Sequence, residues 1–283
     1  MKRRTLLKGL GGVALSASLA SAGGFRYVTR WEPEWLSVER VTIPIDGLPA
    51  ALEGLRIVQL SDLHLQPYTE IDLIEQAVEL ANDLQPDLVA LTGDYVLSTG
   101  EAIVDLAPVL GRLRGRLGVY GVLGNHDMWQ RPDTIVRELE NVGVTMLVNQ
   151  GINLSIERGK DRGELYLAGL SDGLTGSPDL EQALAPKPAE AICILLMHVP
   201  DVADTYALDG RIALQLSGHS HGGQVRLPGV GALILPPLGQ KYDQGLYRVH
   251  DMWLYTNRGI GVTGPPVRFG CRPEVTQITL TGA

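Results

Sequence analysis

The sequence predicts an α/β fold, and three observations predict it. Six short apolar runs, at residues 55–60, 87–91, 119–123, 165–170, 192–197 and 213–216, are rich in Val, Leu and Ile and have the length of strands. Between the first two, Ile74, Ala77, Val78, Ala81 and Leu84 recur at helical spacing until Pro86 stops the run, and 102–113 and 132–141 read as further helices. Strand, helix, strand in alternation is the pattern of parallel strands. After His221 the pattern changes. Residues 225–227, 232–235, 246–249, 253–255 and 275–280 are short strand-like pieces between Gly and Pro turns, and 37–45 alternates like a strand before the first run. There is no internal repeat, low-complexity linker or charge block. One domain over 36–283 is expected, with an α/β start and a β-rich finish.

With 283 residues, 45% of them hydrophobic, the chain can bury a large core. The formal net charge is −8; the first 22 residues carry Lys2, Arg3, Arg4 and Lys8 and no acid, so the remainder stands at −12. A body this acidic is poorly suited to wrapping nucleic acid, where phosphate neutralisation dominates affinity. A phosphorylated small molecule is still allowed, because bound cations reverse the local field. The two cysteines, Cys193 in an apolar run and Cys271 in a turn, lack Cys-x-x-Cys spacing, and two unpaired thiols are expected.

The basic start, the weakly apolar stretch 9–20 and the small residues Ala20-Ser21-Ala22 form an export signal, and the paired arginines assign it to the twin-arginine machinery. The alternatives are an uncleaved anchor and a disordered basic tail. An exported location in the periplasm or cell envelope is expected, with peripheral membrane contact if an anchor is kept. The twin-arginine route carries proteins that are already folded.

Five of the six histidines lie in short polar clusters, each just after an apolar run. Leu60 leads into Ser61-Asp62-Leu63-His64, Leu91 into Thr92-Gly93-Asp94, and Leu123 into Gly124-Asn125-His126-Asp127. Met197 leads into His198, and Leu216 into the segment containing Gly218-His219-Ser220-His221. In open α/β sheets the loops after strand carboxyl ends converge on one edge, so these donors can share a crevice. Neutral imidazole and carboxylate suit zinc, manganese and iron(II). A carboxylate can bridge two ions, which can then act together on an in-line displacement. Each cluster alone is commonplace as a turn, cap or core histidine; five in this order are not. The glycines at 93, 124 and 218 are expected to let the chain turn sharply. His250 is left over and reads as a surface residue.

This ordered set resembles the calcineurin-like metallophosphoesterases, in particular an exported bacterial branch, over about residues 38–280. Ser61-Asp62-Leu63-His64-Leu65, Gly218-His219-Ser220-His221-Gly222-Gly223-Gln224 and the tail from Asn257-Arg258-Gly259 to Pro273-Glu274 carry the resemblance. It implies two β-sheets packed as a sandwich and flanked by helices, with two divalent metal ions (Mn, Fe or Zn) at one edge. It implies that Asp62, His64 and His221 hold one ion, that Asn125, His198 and His219 hold the other, and that Asp94 bridges them. His126 matches the histidine that stabilises the transition state or protonates the leaving oxygen, with Asp127 a candidate to orient it.

The implied activity is hydrolysis of a phosphoester, with a phosphodiester on a small or lipid-linked molecule favoured. Protein phosphatases of the superfamily continue Gly-Asp with Asp-Arg-Gly, whereas Gly93-Asp94 here runs on as Tyr95-Val96-Leu97-Ser98, which tilts the substrate away from phosphoproteins and toward a phosphodiester, pyrophosphate or lipid-linked molecule. Two alternatives are a pyrophosphatase of the UDP-2,3-diacylglucosamine type at the membrane surface and an exported metal-binding protein without turnover. The Gly- and Pro-rich loops 227–241 and 259–269 are expected to shape the pocket.

Overall fold

The computed structural model describes residues 22–283, so the segment read as an export signal lies outside the described residues apart from Ala22. A short helix running into a π-helical turn, Tyr27–Trp31, opens the described chain. Then come β1 (Ser37–Ile45), β2 (Arg56–Leu60), α1 (Ile71–Asp83), β3 (Leu88–Leu91), α2 (Ile103–Leu110), β4 (Val119–Gly121), α3 (Asn125–Trp129), α4 (Pro132–Asn141) and β5 (Val144–Met146). The second half holds β6 (Gln150–Arg158), β7 (Asp161–Gly169), α5 (Leu180–Leu184), β8 (Ile192–Leu196), α6 (Ala203–Tyr206) and β9 (Leu214–Ser217). It ends with β10 (Arg226–Leu227), β11 (Gly231–Ala232), β12 (Gly245–Val249), β13 (Met252–Thr256) and β14 (Glu274–Gly282).

Two six-stranded sheets result. The first has the order β1-β14-β2-β3-β4-β5, and the second β12-β13-β9-β8-β7-β6. β2 to β5 run parallel, as do β7, β8, β9 and β13, while the hairpins β6–β7 and β12–β13 close the two edges of the second sheet. This is the sandwich the resemblance implies. The second half is as parallel at its centre as the first, so the expected contrast between the halves is one of helix content more than of strand direction.

The burial of each element follows from its place. In β2, β3, β8 and β9 all residues but the first of β2 and β8 are buried, which is why they read as unbroken apolar runs and not as alternations. Ile57, Leu88, Tyr120, Leu167, Ile194 and Leu216 belong to the cluster packed between the sheets. α1 turns Leu73, Ile74, Ala77, Val78 and Ala81 to the outer face of the first sheet, where α2 and α4 join it. α5 and α6 cover the outer face of the second. Strand β6 has no counterpart in the sequence reading, because only Ile156 of its nine residues is buried and its solvent face is polar.

Cys193 and Cys271 are free and both 1% exposed. Burial pushes the Cys193 thiol up to about 12 and raises that of Cys271 as well. In native protein at pH 8, an aromatic disulfide reagent is therefore expected to titrate neither thiol, and to titrate both once denaturant is added. Rapid native labelling of either would contradict this packing.

Candidate metal centre

The carboxyl ends of β2, β3 and β4 lie side by side in one sheet, and those of β8 and β9 in the other. Gln59 ties the two rims together: its buried amide donates to Thr92 Oγ1 and to the Ser217 carbonyl, both at 2.9 Å. The loops that leave these ends carry all eight residues singled out above: Asp62, His64, Asp94, Asn125, His126, His198, His219 and His221.

They come together as two groups linked by a third, His64, Asp94 and His126, which shares one residue with each. Asp62, His64 and His221 place ligand atoms within 4.8 Å of one another, and so do Asp94, His198 and His219. His221 Nε2 lies 3.3 Å from Asp62 Oδ1 and 2.9 Å from His64 Nε2. Asp94 Oδ2 lies 3.5 Å from His64 Nε2 and 3.2 Å from His198 Nε2, so one carboxylate oxygen faces both groups. Apart from His126, which is partly exposed, these side chains are buried. Asn125 Oδ1 and His198 Nε2 are buried with no hydrogen-bond partner among the described residues. Buried polar atoms are rarely left so, and a cation satisfies an amide oxygen and an imidazole lone pair together.

Backbone carbonyls set the tautomers. A carbonyl only accepts, so the ring nitrogen facing it carries the proton. His198 Nδ1 donates to Thr92 O at 2.7 Å and leaves Nε2 toward Asp94. His219 Nε2 donates to Pro237 O at 2.9 Å and leaves Nδ1 inward. His126 Nδ1 donates to Leu97 O at 2.8 Å, which leaves its Nε2 free. Burial pushes the His64 imidazole down to about 3, keeping it a neutral donor. Burial would raise both Asp62 and Asp94, but the imidazoles of His221 and His198 beside them hold both carboxyls below the usual range.

The local backbone is strained where it delivers donors. Asp62, His64, Asp94, His219 and His221 have φ of 50°, 45°, 56°, 66° and 52°, in the left-handed region that residues with a Cβ adopt at a cost. Cross-loop bonds hold them there. Asp62 N donates to Gly93 O at 2.9 Å, His64 N to Asp94 O at 3.1 Å, and Gly261 N to Asp62 O at 2.7 Å. The glycines act differently from one another. Gly93 has φ +94° and needs its conformational freedom. Gly124 and Gly218 have no such φ; a Cβ on Gly124 would overlap the Asp94 carboxylate, and one on Gly218 would overlap Ser61 and Asp62. The expected sharp turn is replaced there by a need for close approach.

Asp127 does not orient His126. Its carboxylate accepts the N–H groups of Gly124 at 2.9 Å, Asp94 at 2.8 Å, Tyr95 at 2.9 Å and Val96 at 3.3 Å. It is the post around which the Asp94 and Asn125 loops are wound. Nor do Tyr95 and Val96 face substrate: both are buried in the core beneath the first sheet, so the tilt drawn from them falls. His250 is exposed in the turn between β12 and β13, as expected of it.

A cleft of about 590 Å³ opens over Asp94, Asn125, His126, His219 and His221. Its walls come from the two loops expected to shape it, through Leu233 to Pro237 on one side and Thr263, Gly264, Pro265 and Val267 on the other, with Trp129 edge-on to His126 at 4.8 Å between ring centres. Gln224, unremarked in sequence except as part of a motif, joins the walls: its Oε1 accepts the Thr263 N–H at 2.7 Å and its Nε2 donates to Pro265 O at 3.3 Å. Among the described residues, no lysine or arginine lines the cleft.

The calcineurin-like phosphoesterase family matches residues 55–223, well over half of the chain and the span that carries every donor. The chain belongs to that family. It is 34% identical over 283 residues to the uncharacterized metallophosphoesterase YkuE of Bacillus subtilis, covering 99% of this chain and 98% of that one. It is 31% identical over 274 residues to the phosphodiesterase YaeI of Escherichia coli, covering 94% and 96%. A Bos taurus transmembrane protein with a metallophosphoesterase domain is 34% identical over 260 residues, 87% of this chain and 57% of that one. As a calcineurin-like phosphoesterase the chain is a hydrolase of phosphoesters, its fold implies divalent metal ions, and its Asp/His clusters are able to bind them.

Asp127→Asn turns an acceptor toward the clustered N–H groups into a donor. It is expected to lower stability by about 3 kcal/mol in guanidinium titration, the scale of losing charged hydrogen bonds and stranding buried donors. A variant within experimental error of wild type would show that the carboxylate is not the post of these loops.

Proposed function

We propose that this calcineurin-like phosphoesterase is a two-metal phosphodiesterase. The observation that carries the reading is Asp94 Oδ2, which faces imidazoles of both donor groups at 3.5 and 3.2 Å. Asp62, His64 and His221 would hold one ion, Asn125, His198 and His219 the second, and Asp94 both. The donor set suits Mn, Fe(II) or Zn. Bound there, divalent ions supply Lewis-acid polarisation of a phosphoryl oxygen and acidify water.

The chain's own residues do the rest. His126 lines the cleft with its ring fixed by Leu97 O, so in its doubly protonated form it can donate from Nε2 a hydrogen bond to a non-bridging oxygen or a proton to the leaving oxygen. A site built only to hold metal has no use for that nitrogen, which argues against the non-catalytic alternative. The cleft walls favour a diester. With no lysine or arginine lining them, they give no extra charge to a second anionic phosphate, as a pyrophosphate carries, while their apolar side chains suit an uncharged ester substituent. The Escherichia coli relative, a phosphodiesterase, points the same way.

Manganese-loaded protein is expected to hydrolyse an aryl phosphodiester. Asp94→Asn should lose metal and turnover together. His126→Ala should keep its metal content, read by elemental analysis, while kcat falls by about 10²–10⁴-fold. Full turnover in His126→Ala would remove that residue from the chemistry, and full turnover in Asp94→Asn would end the two-metal reading.

We also propose export by the twin-arginine route to the cell envelope, from the basic and weakly apolar start of the sequence. Mass spectrometry of the mature amino terminus from fractionated cells should place it near residue 23 in the exported fraction, or find the whole segment in a membrane fraction. Cytoplasmic protein with the segment intact would contradict both forms. Among the described residues, no helix is long and apolar enough to cross a membrane.

A further inference from the structure

The cleft's outer wall does not stop at its rim. It continues the β10–β11 hairpin, and this stretch holds large apolar side chains in solvent: Val230 is 70% exposed, Leu233 53% and Ile234 80%. Leu233 and Ile234 also line the cleft, so one apolar surface runs from inside it to the outside of the molecule. Single exposed apolar residues are ordinary, but a contiguous apolar lip on a substrate cleft marks an interaction site.

The lip sits beside the point where the described chain enters the fold. Arg226, at the base of the hairpin, donates its N–H to Phe269 O at 2.7 Å, and the residue before that phenylalanine, Arg268, donates to Val28 O at 2.9 Å. The entering segment presents Phe25 and Trp31 to solvent. Upstream of residue 22 the sequence holds a charge-free stretch, 9–20, behind Lys2, Arg3, Arg4 and Lys8. The apolar lip and the exposed aromatics of the entering segment are therefore linked through the backbone bonds of Arg268 and Phe269. Aromatic and aliphatic side chains in that arrangement suit the boundary between lipid headgroups and acyl chains.

We infer that the lip around Val230, Leu233 and Ile234 is a lipid-docking surface, and that the cleft takes a phosphodiester with a long apolar chain drawn from a bilayer. This rests on the phosphodiesterase reading above. The lip would seat in the headgroup region while the apolar wall accepts the chain and the phosphate reaches His126. In the hydrolysis, the oxygen of water bonds to phosphorus and the ester P–O bond to the departing alcohol breaks. One proton of that water ends on the alcohol, and the phosphate remains as a monoester.

The test compares the full-length manganese-loaded chain with Leu227→Ser/Val230→Ser, two hairpin residues that do not line the cleft. Co-sedimentation with phosphatidylcholine vesicles is expected to weaken by about fivefold in the variant. Turnover of a long-chain phosphodiester held in those vesicles is expected to drop about tenfold, with turnover of a soluble aryl phosphodiester within about twofold of wild type. Equal co-sedimentation overturns the proposal, as does a loss that is the same on both substrates. A wild-type dimer that the variant dissolves, with co-sedimentation unchanged, would assign the lip to a second copy and overturn it too. Wild type inert on the soluble diester would defeat the phosphodiesterase reading instead, and co-sedimentation would still decide the docking surface, since it needs no turnover.

Discussion

Two carboxylates taken out of water set the terms for everything around them. Asp62 and Asp94 are 0% and 1% exposed, and the side chains nearest them are the imidazoles of His64, His198 and His221. Burying an ion costs several kcal/mol unless it is paired. Asp127, in the neighbouring loop, shows the other solution. Its carboxylate is surrounded by four backbone N–H groups and needs no cation. Asp62 accepts the His219 N–H and Asp94 accepts the His126 N–H, but each keeps oxygen turned toward imidazole nitrogens. Three buried acids thus divide into one that builds the loops and two that are aimed at positive charge. Divalent cations bound there would supply that charge, which would link the stability of this rim to its chemistry.

The donor residues themselves were legible because chemistry restricts their types. Aspartate, asparagine and histidine rarely follow five successive apolar runs by chance, and parallel topology brings strand ends to one edge. How the backbone presents them was not legible. Left-handed φ at Asp62, His64, Asp94, His219 and His221 follows from cross-loop hydrogen bonds between residues far apart in sequence, such as His64 N to Asp94 O. The same holds for Gly124 and Gly218, whose missing Cβ matters because Asp94 and Ser61 stand against them. Asp127 was misread for a related reason: adjacency to His126 in sequence suggested a partner, whereas helix α3 turns the two side chains to different partners.

Legibility of the fold followed burial on both faces. β2, β3, β8 and β9 sit between layers and announce themselves as continuous apolar runs, and α1 shows its one-sided stripe because it covers a sheet. β6 lies at an edge with its polar face in water, so its sequence, Gln150–Arg158, carries little of either pattern. The resemblance supplied the sandwich that periodicity alone could not.

The walls of the cleft are the part on which sequence said least, and their physics is of a different kind from the rim. Glycine and proline shape them, Gln224 holds the Thr263–Pro265 wall in place, and apolar side chains line them. Such walls recognise by exclusion. Without lysine or arginine they offer an additional anionic group nothing in place of its water, and burying that group unpaired costs more than an apolar wall returns. On the phosphodiesterase proposal, the attraction for one phosphate would be left to the metal rim, and the choice among phosphoesters to the apolar surface that leads to it. That division explains why a rim of seven donors, strained and over-determined, can coexist with a lip whose side chains stand open to solvent. The first has to hold its geometry, whereas the second has only to be wetted by the right surface.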